Sequence, residues 1–221
     1  MVDIGEHIRQ LALSLGFDDC GFAKACRLEE DALFMQQWVE NGMHGKMDYF
    51  ERNQELRYDP TQLVPGAKTV MVCLLSYKKC GRDYHRKIKS MLYELEKVIR
   101  EKWGNDIVNI DKQHIFCDSA PFLERSWAVR AGLGFIGKNH QLIHPSLGSM
   151  VHIGEIILSI ELDVQRPIIP SQCGECNQCI KHCPNQALGQ ANWDARKCIA
   201  YVTHKCVVCQ NVCPYNRVET K

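Results

Sequence analysis

The sequence predicts an α+β protein: a layered α/β domain over residues 1–165, then a small ferredoxin-like domain over residues 166–221. Three observations predict it. Residues 68–76 (KTVMVCLLS) form a continuous apolar run of strand length, which suits a central strand covered on both faces. Residues 83–103 repeat apolar positions at helical spacing, with Ile88, Met91, Leu92, Leu95, Val98 and Ile99 as the buried stripe. Residues 173–213 hold eight cysteines in two runs.

The remaining elements follow in order. Ile4, Ile8, Leu11 and Leu15 sit one helical turn apart, and Gly16 is a stop. Residues 17–25 predict a short strand, and residues 28–39 a second helix that breaks at Asn41-Gly42. Residues 42–50 read as loop or short helix. Arg57 precedes Asp59-Pro60, and Val64-Pro65-Gly66 is a turn. On the long helix, Lys87, Lys89, Glu94, Glu96 and Lys97 are expected on the solvated face. Residues 106–110 and 114–118 suit strands, and residues 121–131 a helix with proline near its first turn. A second apolar run, residues 150–162, is interrupted by Glu155. Residues 166–171 are a proline-bounded linker into the cysteine-rich end.

That end carries the strongest chemical signal. Cys173, Cys176, Cys179 and Cys183-Pro184 spell C-x2-C-x2-C-x3-C-P, the spacing of bacterial two-cluster ferredoxins. Three thiolates on one tight loop hold three corners of a cubane, and the fourth cysteine of each run ligates the other cluster. One [4Fe–4S] cluster is therefore expected on Cys173, Cys176, Cys179 and Cys213, and a second on Cys183, Cys198, Cys206 and Cys209. The second run is irregular, because Thr203 stands where a regular repeat would place cysteine; Cys198 is the nearby substitute. Zinc sites also use C-x2-C pairs. They do not account for the third cysteine of the run or for the C-x3-C-P ending that occurs twice.

Thirteen cysteines without a signal-peptide pattern point to a reducing, cytoplasmic setting and to metal ligation. The five outside the cluster region (Cys20, Cys26, Cys73, Cys80, Cys117) are expected to be packed thiols. With 27 basic and 26 acidic residues, the net charge of +1 advertises no general affinity for nucleic acid, which leaves room for a local basic patch. No apolar run approaches the roughly 18 residues of a membrane span.

Gly132-Leu-Gly134-Phe-Ile-Gly137 matches G-x-G-x-x-G, but a dinucleotide site needs a strand before it and a helix after it. Here a helix precedes and a strand-like piece follows, so the glycines are instead expected to let backbone lie close against something flat or bulky. Asp118 stands where an apolar strand gives way to Ser119-Ala120-Pro121. It either caps the following helix or, as a partly desolvated carboxyl at the edge of a pocket, donates a proton.

Several stretches together resemble the epoxyqueuosine reductase family: residues 63–68 (LVPGAK), 81–85 (GRDYH), 117–125 (CDSAPFLER) and 131–139 (AGLGFIGKN). The ending does too, in CGECNQC at 173–179, DARKCIAY at 194–201 and CQNVCPYN at 209–216. With gaps, the resemblance runs from about residue 15 to 216, with independent motifs in the family's order. It implies cobalamin bound in an α/β domain beside a two-cluster ferredoxin-like domain. It also implies reduction of the epoxide of a modified base in the tRNA anticodon loop, the last step of queuosine synthesis. Electrons would come from an external donor such as a flavodoxin or ferredoxin system. By position in the family's motifs, Asp118 is the proton donor and a cofactor neighbour, and Arg57 and Lys138 contact cobalamin. Leu142 and Ile153 line the same pocket, though ordinary core is the other reading of both.

The chemistry is coherent. Side chains cannot supply the two electrons that epoxide reduction requires, so a cofactor must. The chain departs from the family in three places: only Tyr77-Lys78-Lys79-Cys80 stands between Ser76 and Gly81, seven residues separate Cys198 from Cys206, and the helical-repeat extension of longer members is lacking. These parts lie near the surface expected to meet tRNA, where Arg82, Arg86, Lys87, Lys181 and Arg217 are candidate phosphate contacts. Two alternatives remain at this point: a corrinoid reductase acting on a small molecule, and a ferredoxin-like electron carrier.

Overall fold

The computed structural model describes residues 3–81, 83–108, 113–163, 166–189, 192–203 and 205–217. Nine α-helices and six strands are found among them: α1 (Ile4–Ser14), β1 (Asp19–Lys24), α2 (Glu29–Glu40), α3 (Gln54–Tyr58), α4 (Pro60–Leu63), β2 (Thr69–Ser76), α5 (Tyr84–Trp103), β3 (Ile115–Phe116), α6 (Glu124–Arg130), β4 (Phe135–Ile136), β5 (Leu142–Ile143), β6 (Val151–Leu158), α7 (Gln178–Lys181), α8 (Ile199–Thr203) and α9 (Val208–Asn211).

The predicted central strand is central. The four-stranded sheet runs β1-β2-β6-β3, and each neighbouring pair is antiparallel. Alternation along β2 divides its side chains between two cores. Met71, Cys73 and Leu75 pack with Ile8 and Ala12 of α1 and with Ile88, Leu92, Leu95 and Ile99 of α5. Val70, Val72 and Leu74 pack on the opposite face with Trp127, Ala128 and Ala131. Both faces of the sheet are thus covered, and each buried Leu or Ile contributes roughly 1.5–3 kcal/mol. Gly154 of β6 sets the approach of α5: a Cβ there would lie 2.6 Å from Ile88 Cγ2 and 2.9 Å from Leu92 Cδ1. Among the described residues, no helix is long and apolar enough to cross a membrane.

Local rules fix the helix ends. Asp3 caps α1 by accepting from the Gly5 amide at 2.9 Å, and Asp83 caps α5 by accepting from the Arg86 amide at 3.2 Å. Three expectations are corrected. Glu96 is buried rather than solvated, because it pairs with Arg100 (3.2 Å) and with His114 (3.4 Å). The helix expected from residue 121 starts only at Glu124, since residues 119–122 reverse the chain after Asp118 and the Phe122 amide donates to the Ala120 carbonyl. The strand expected over 106–110 is a 3₁₀ turn at Asn105–Ile107 where described; residues 109–112 and Arg82 lie outside the described residues.

The cysteine-rich end is fastened to the rest. Arg166 forks onto Asp19 with contacts of 2.8 and 3.0 Å, so the predicted linker begins at a fixed point. Gln210 Nε2 donates to the Ser149 carbonyl and Asn216 Nδ2 to Ser149 Oγ, both at 2.8 Å. Trp38 stacks on Trp193, with ring centroids 5.5 Å apart, and its indole N–H donates to the Trp193 carbonyl.

Candidate active site

The eight cysteines fall into two neighbourhoods. Each is built on one short helix, α7 or α9, and the two helices pack on each other. The Cys179 thiol has Cys173, Cys213 and Cys176 as electrostatic neighbours, and Cys213 has Cys173 and Cys176. Cys173 and Cys213 also pack with Phe135 and Ile143 of the β4–β5 hairpin. In the other neighbourhood, Cys183, Cys198, Cys206 and Cys209 line one cavity of about 320 Å³. Cys198 is brought into this set despite its irregular spacing. Among the described residues, no three His, Cys, Asp or Glu side chains converge on one metal ion. The second set surrounds a volume instead.

A larger cavity, about 870 Å³, opens on the α6 face of the sheet. Val151 and Ile153 of β6 and Phe122 and Leu123 give it apolar walls; Arg57, Tyr49 and Phe50 close one side, and Trp38, Trp193 and His140 another. A cavity of this size with few polar groups suits a large organic ligand. Met47, Arg125, His140, Gln141 and Trp193 line both cavities and form the wall between them.

Asp118 stands at the cavity edge. β3 ends at Phe116, Cys117 is buried, and Asp118 turns the chain with φ +53°, a conformation Asp tolerates better than most residues. Its Oδ2 accepts from the Tyr84 hydroxyl at 2.7 Å and lies 3.5 Å from His85 Nε2. Its amide donates to Glu124 Oε1. The capping role fails: α6 begins after Leu123 and has no side-chain cap. Tyr77, His152, Tyr84 and His85 form a continuous stack beside the carboxylate, with successive centroids 4.2, 3.8 and 3.9 Å apart.

Two further carboxyls lie behind Asp118. Burial, and then the charge of Asp118, push the Glu124 carboxyl up to about 8. Glu155 is fully buried in β6, opposite Val72 and Phe116, and neither of its oxygens has a hydrogen-bond partner. Burial holds its carboxyl well above the usual range, with Glu124 and Asp118 adding to the shift.

The other sequence-selected residues separate. Arg57 lines the cavity, donates from Nη2 to the Tyr49 carbonyl at 2.9 Å, and lies 4.7 Å over the Phe50 ring. Its buried Nε has no partner, and burial lowers its pKa. Ile153 lines the cavity. Leu142 is buried in the core beneath it. Lys138 Nζ donates to the Gly174 carbonyl (2.7 Å) and Asn177 Oδ1 (3.0 Å), which ties the hairpin to the first cysteine loop and holds the amine outside the cavity lining. In the G-x-G-x-x-G stretch, a Cβ at Gly134 would lie 2.4 Å from the Ile143 carbonyl, so close strand pairing explains that glycine.

Glu124, Tyr84, His85 and His152 were not singled out from the sequence as site residues. Glu155 left one signal, a carboxylate inside an apolar strand. Glu124 sits in the stretch CDSAPFLER without a spacing that marks it.

No family model matches the chain. An epoxyqueuosine reductase of Cyclobacterium marinum is 36% identical over 247 residues, covering 95% of this chain and 78% of the relative. One of Leadbetterella byssophila is 36% identical over 250 residues, covering 98% and 81%. Among solved structures, the epoxyqueuosine reductase of Streptococcus thermophilus superposes with a TM-score of 0.86 at 25% identity, covering 98% of this chain and 67% of that one. An epoxyqueuosine reductase with an epoxyqueuosine-modified tRNA-Tyr stem loop gives 0.84 at 27%, covering 96% and 65%. A reductive dehalogenase described as B12-dependent shares the fold, with a TM-score of 0.61 at 16% identity, covering 97% and 32%.

Proposed function

The chain belongs to the epoxyqueuosine reductase family, and from that premise we propose that it reduces the epoxide of epoxyqueuosine in tRNA to the alkene of queuosine. The observation that carries this reading is Asp118. A carboxyl aimed by Tyr84 and Glu124 stands at the edge of a large cavity, one wall away from a ring of four thiols.

The residues present fit the two kinds of cofactor. Residues 1–165 would hold cobalamin and residues 166–221 two [4Fe–4S] clusters. Cys173, Cys176, Cys179 and Cys213 would hold one cluster; Cys183, Cys198, Cys206 and Cys209, which surround a cavity instead of a point, would hold the other. The orphaned Arg57 Nε, a buried donor in the cavity wall, is available to a polar group of a corrinoid. Ile153, Val151 and Phe122 offer apolar surface to its ring. When bound, the clusters supply single electrons at low potential and the corrinoid supplies the strong reductant that side chains lack.

The chain's own residues do the rest. The apolar walls exclude water from the reacting carbon–oxygen bond. Asp118 protonates the oxygen as it departs, which spares the reaction an alkoxide leaving group and is worth about 10²–10⁴-fold. Tyr84 and His85 hold its Oδ2. Arg86, Lys87, Lys181 and Arg217 would meet tRNA phosphates, and an external flavodoxin or ferredoxin system would deliver electrons.

The test is direct. The protein is purified without oxygen, reconstituted with iron, sulfide and cobalamin, and given a strong reductant and tRNA carrying epoxyqueuosine. Cobalamin-dependent appearance of queuosine in the digested tRNA establishes the activity. Bound cofactors without queuosine would leave the scaffold and reject the substrate.

A further inference from the structure

Converting an epoxide to an alkene with release of water consumes two electrons and two protons. Two C–O bonds break, the C–C bond gains its second order, and two O–H bonds form. The external reductant accounts for both electrons. Asp118 accounts for one proton at most, and its side chain is 49% exposed. A second proton must reach the same oxygen.

We propose that Glu124 stores that second proton and delivers it through Asp118, so that the Asp118–Glu124 pair is the acid of the reaction. This rests on the epoxide-reducing reading above. The Asp118 amide donates to Glu124 Oε1, which makes the two residues immediate neighbours. Both carboxyls line the same cavity. Two carboxyls in contact cannot both ionise cheaply, so the pair retains a proton at neutral pH.

The surroundings decide which carboxyl keeps it. Glu124 faces Asp118 and the buried Glu155, and its own helix adds Arg125, which acts in the opposite sense. The neighbouring Cys117 thiol is held neutral by burial and by Glu124 and Asp118. Asp118, by contrast, has Tyr84 and His85 of α5 against Oδ2. Burial and the charge of Asp118 place Glu124 at about 8, which keeps it protonated at pH 7. Glu155 is not the store that serves the cavity: neither of its oxygens has a partner to receive a proton, and it does not line the wall. Glu124 is a positioning and proton-supplying residue; Asp118 is the group that meets the substrate.

The reconstituted full chain tests this in two ways. Infrared spectroscopy should show a protonated-carboxyl band, shifted in D₂O, that disappears with a midpoint near pH 8. Glu124→Gln should abolish that band and Glu155→Gln should not. Asp118→Asn, which removes the neighbouring charge, should move the midpoint down; this arm decides the matter if Glu124→Gln does not fold. In turnover, Glu124→Gln should slow queuosine formation about 10²-fold with little change in KM. It should also remove the fall in kcat expected of the wild type above pH 8. A missing band, or wild-type turnover with an unchanged pH profile in Glu124→Gln, overturns the proposal. If the wild type makes no queuosine, the substrate reading falls, and delivery to the epoxide falls with it. The infrared result still decides separately whether Glu124 stores a proton.

Discussion

The Tyr84 hydroxyl donates a 2.7 Å hydrogen bond to Asp118 Oδ2 and ties the first turn of α5 to the loop that follows β3. Burial, and then Asp118 itself, push the phenol far above its ordinary range, so it remains a donor across any assay pH. The same ring is stacked between His152 and His85. Tyr84→Phe keeps the stack and removes only the donor. A hydrogen bond to a charged group is worth about 1.5–3 kcal/mol, so kcat should fall at least about tenfold. KM and the visible spectrum of the bound cofactors should not move. A fall confined to KM would mean that Tyr84 serves binding instead.

Asp118→Asn preserves the shape and the Tyr84 contact but cannot give up a proton. Both cofactors should load as in the wild type, and queuosine formation should fall about 10²–10⁴-fold. Near-full activity in single-turnover assays would remove Asp118 from the acid role.

The layered sheet was legible because periodicity carries it. The apolar run that becomes β2 and the stripe of α5 each announce a burial pattern, and the structure buries Ile88, Leu92, Leu95 and Ile99 as the spacing requires. Glu96 was misread because a charged residue on a helix is usually solvated; its i,i+4 spacing to Arg100 was a local signal, but nothing local revealed that His114 would meet it. The carboxyl cluster was half legible. Asp118 is marked by the end of a strand. Glu124 meets Asp118 across the turn of residues 119–122, whose course no spacing marked, and Glu155 becomes a neighbour only when β3 pairs with β6, a contact between distant segments that leaves no trace in local pattern.

Asp19 joins the start of β1 to Arg166 and to His144. Burial alone would raise its carboxyl, but the bonds from His144 and Arg166 outweigh it and hold Asp19 well below the usual carboxylate range. A depressed carboxyl stabilises the fold above its unfolded pKa of about 3.9 and loses that contribution as pH falls below it. Asp19→Asn should cost about 1–3 kcal/mol at pH 7 and flatten the acid limb of stability. Chemical denaturation of wild type and variant at pH 7 and pH 3 measures both effects.

The two cysteine neighbourhoods should empty separately. Reconstituted wild type should hold about eight irons, two cubanes of four. Cys176→Ser should lower iron content while leaving the thiol ring that adjoins the larger cavity intact. Cys198→Ser should disturb that ring and block electron delivery to the cavity, even though the other set still binds iron. Iron assay and low-temperature paramagnetic resonance of the reduced protein distinguish the two variants. Equal loss of all iron from both would mean that the neighbourhoods assemble as one unit.

Glu124 and Glu155 should also make the fold less stable in alkali. The Glu124 carboxyl sits at about 8 against an ordinary 4.5, so between those values the folded chain binds more protons than the unfolded one. Its contribution is therefore fully present below pH 4.5 and is lost as pH rises through 8, at up to about 1.4 kcal/mol per pH unit. Glu155, also raised by burial, adds to the same loss. Glutamine cannot ionise, so Glu124→Gln and Glu155→Gln should each make the decline above pH 5 shallower. Denaturation midpoints measured across pH 5–9 for the wild type and both variants check the assignment. Parallel declines in all three proteins would place the lost protons on other groups.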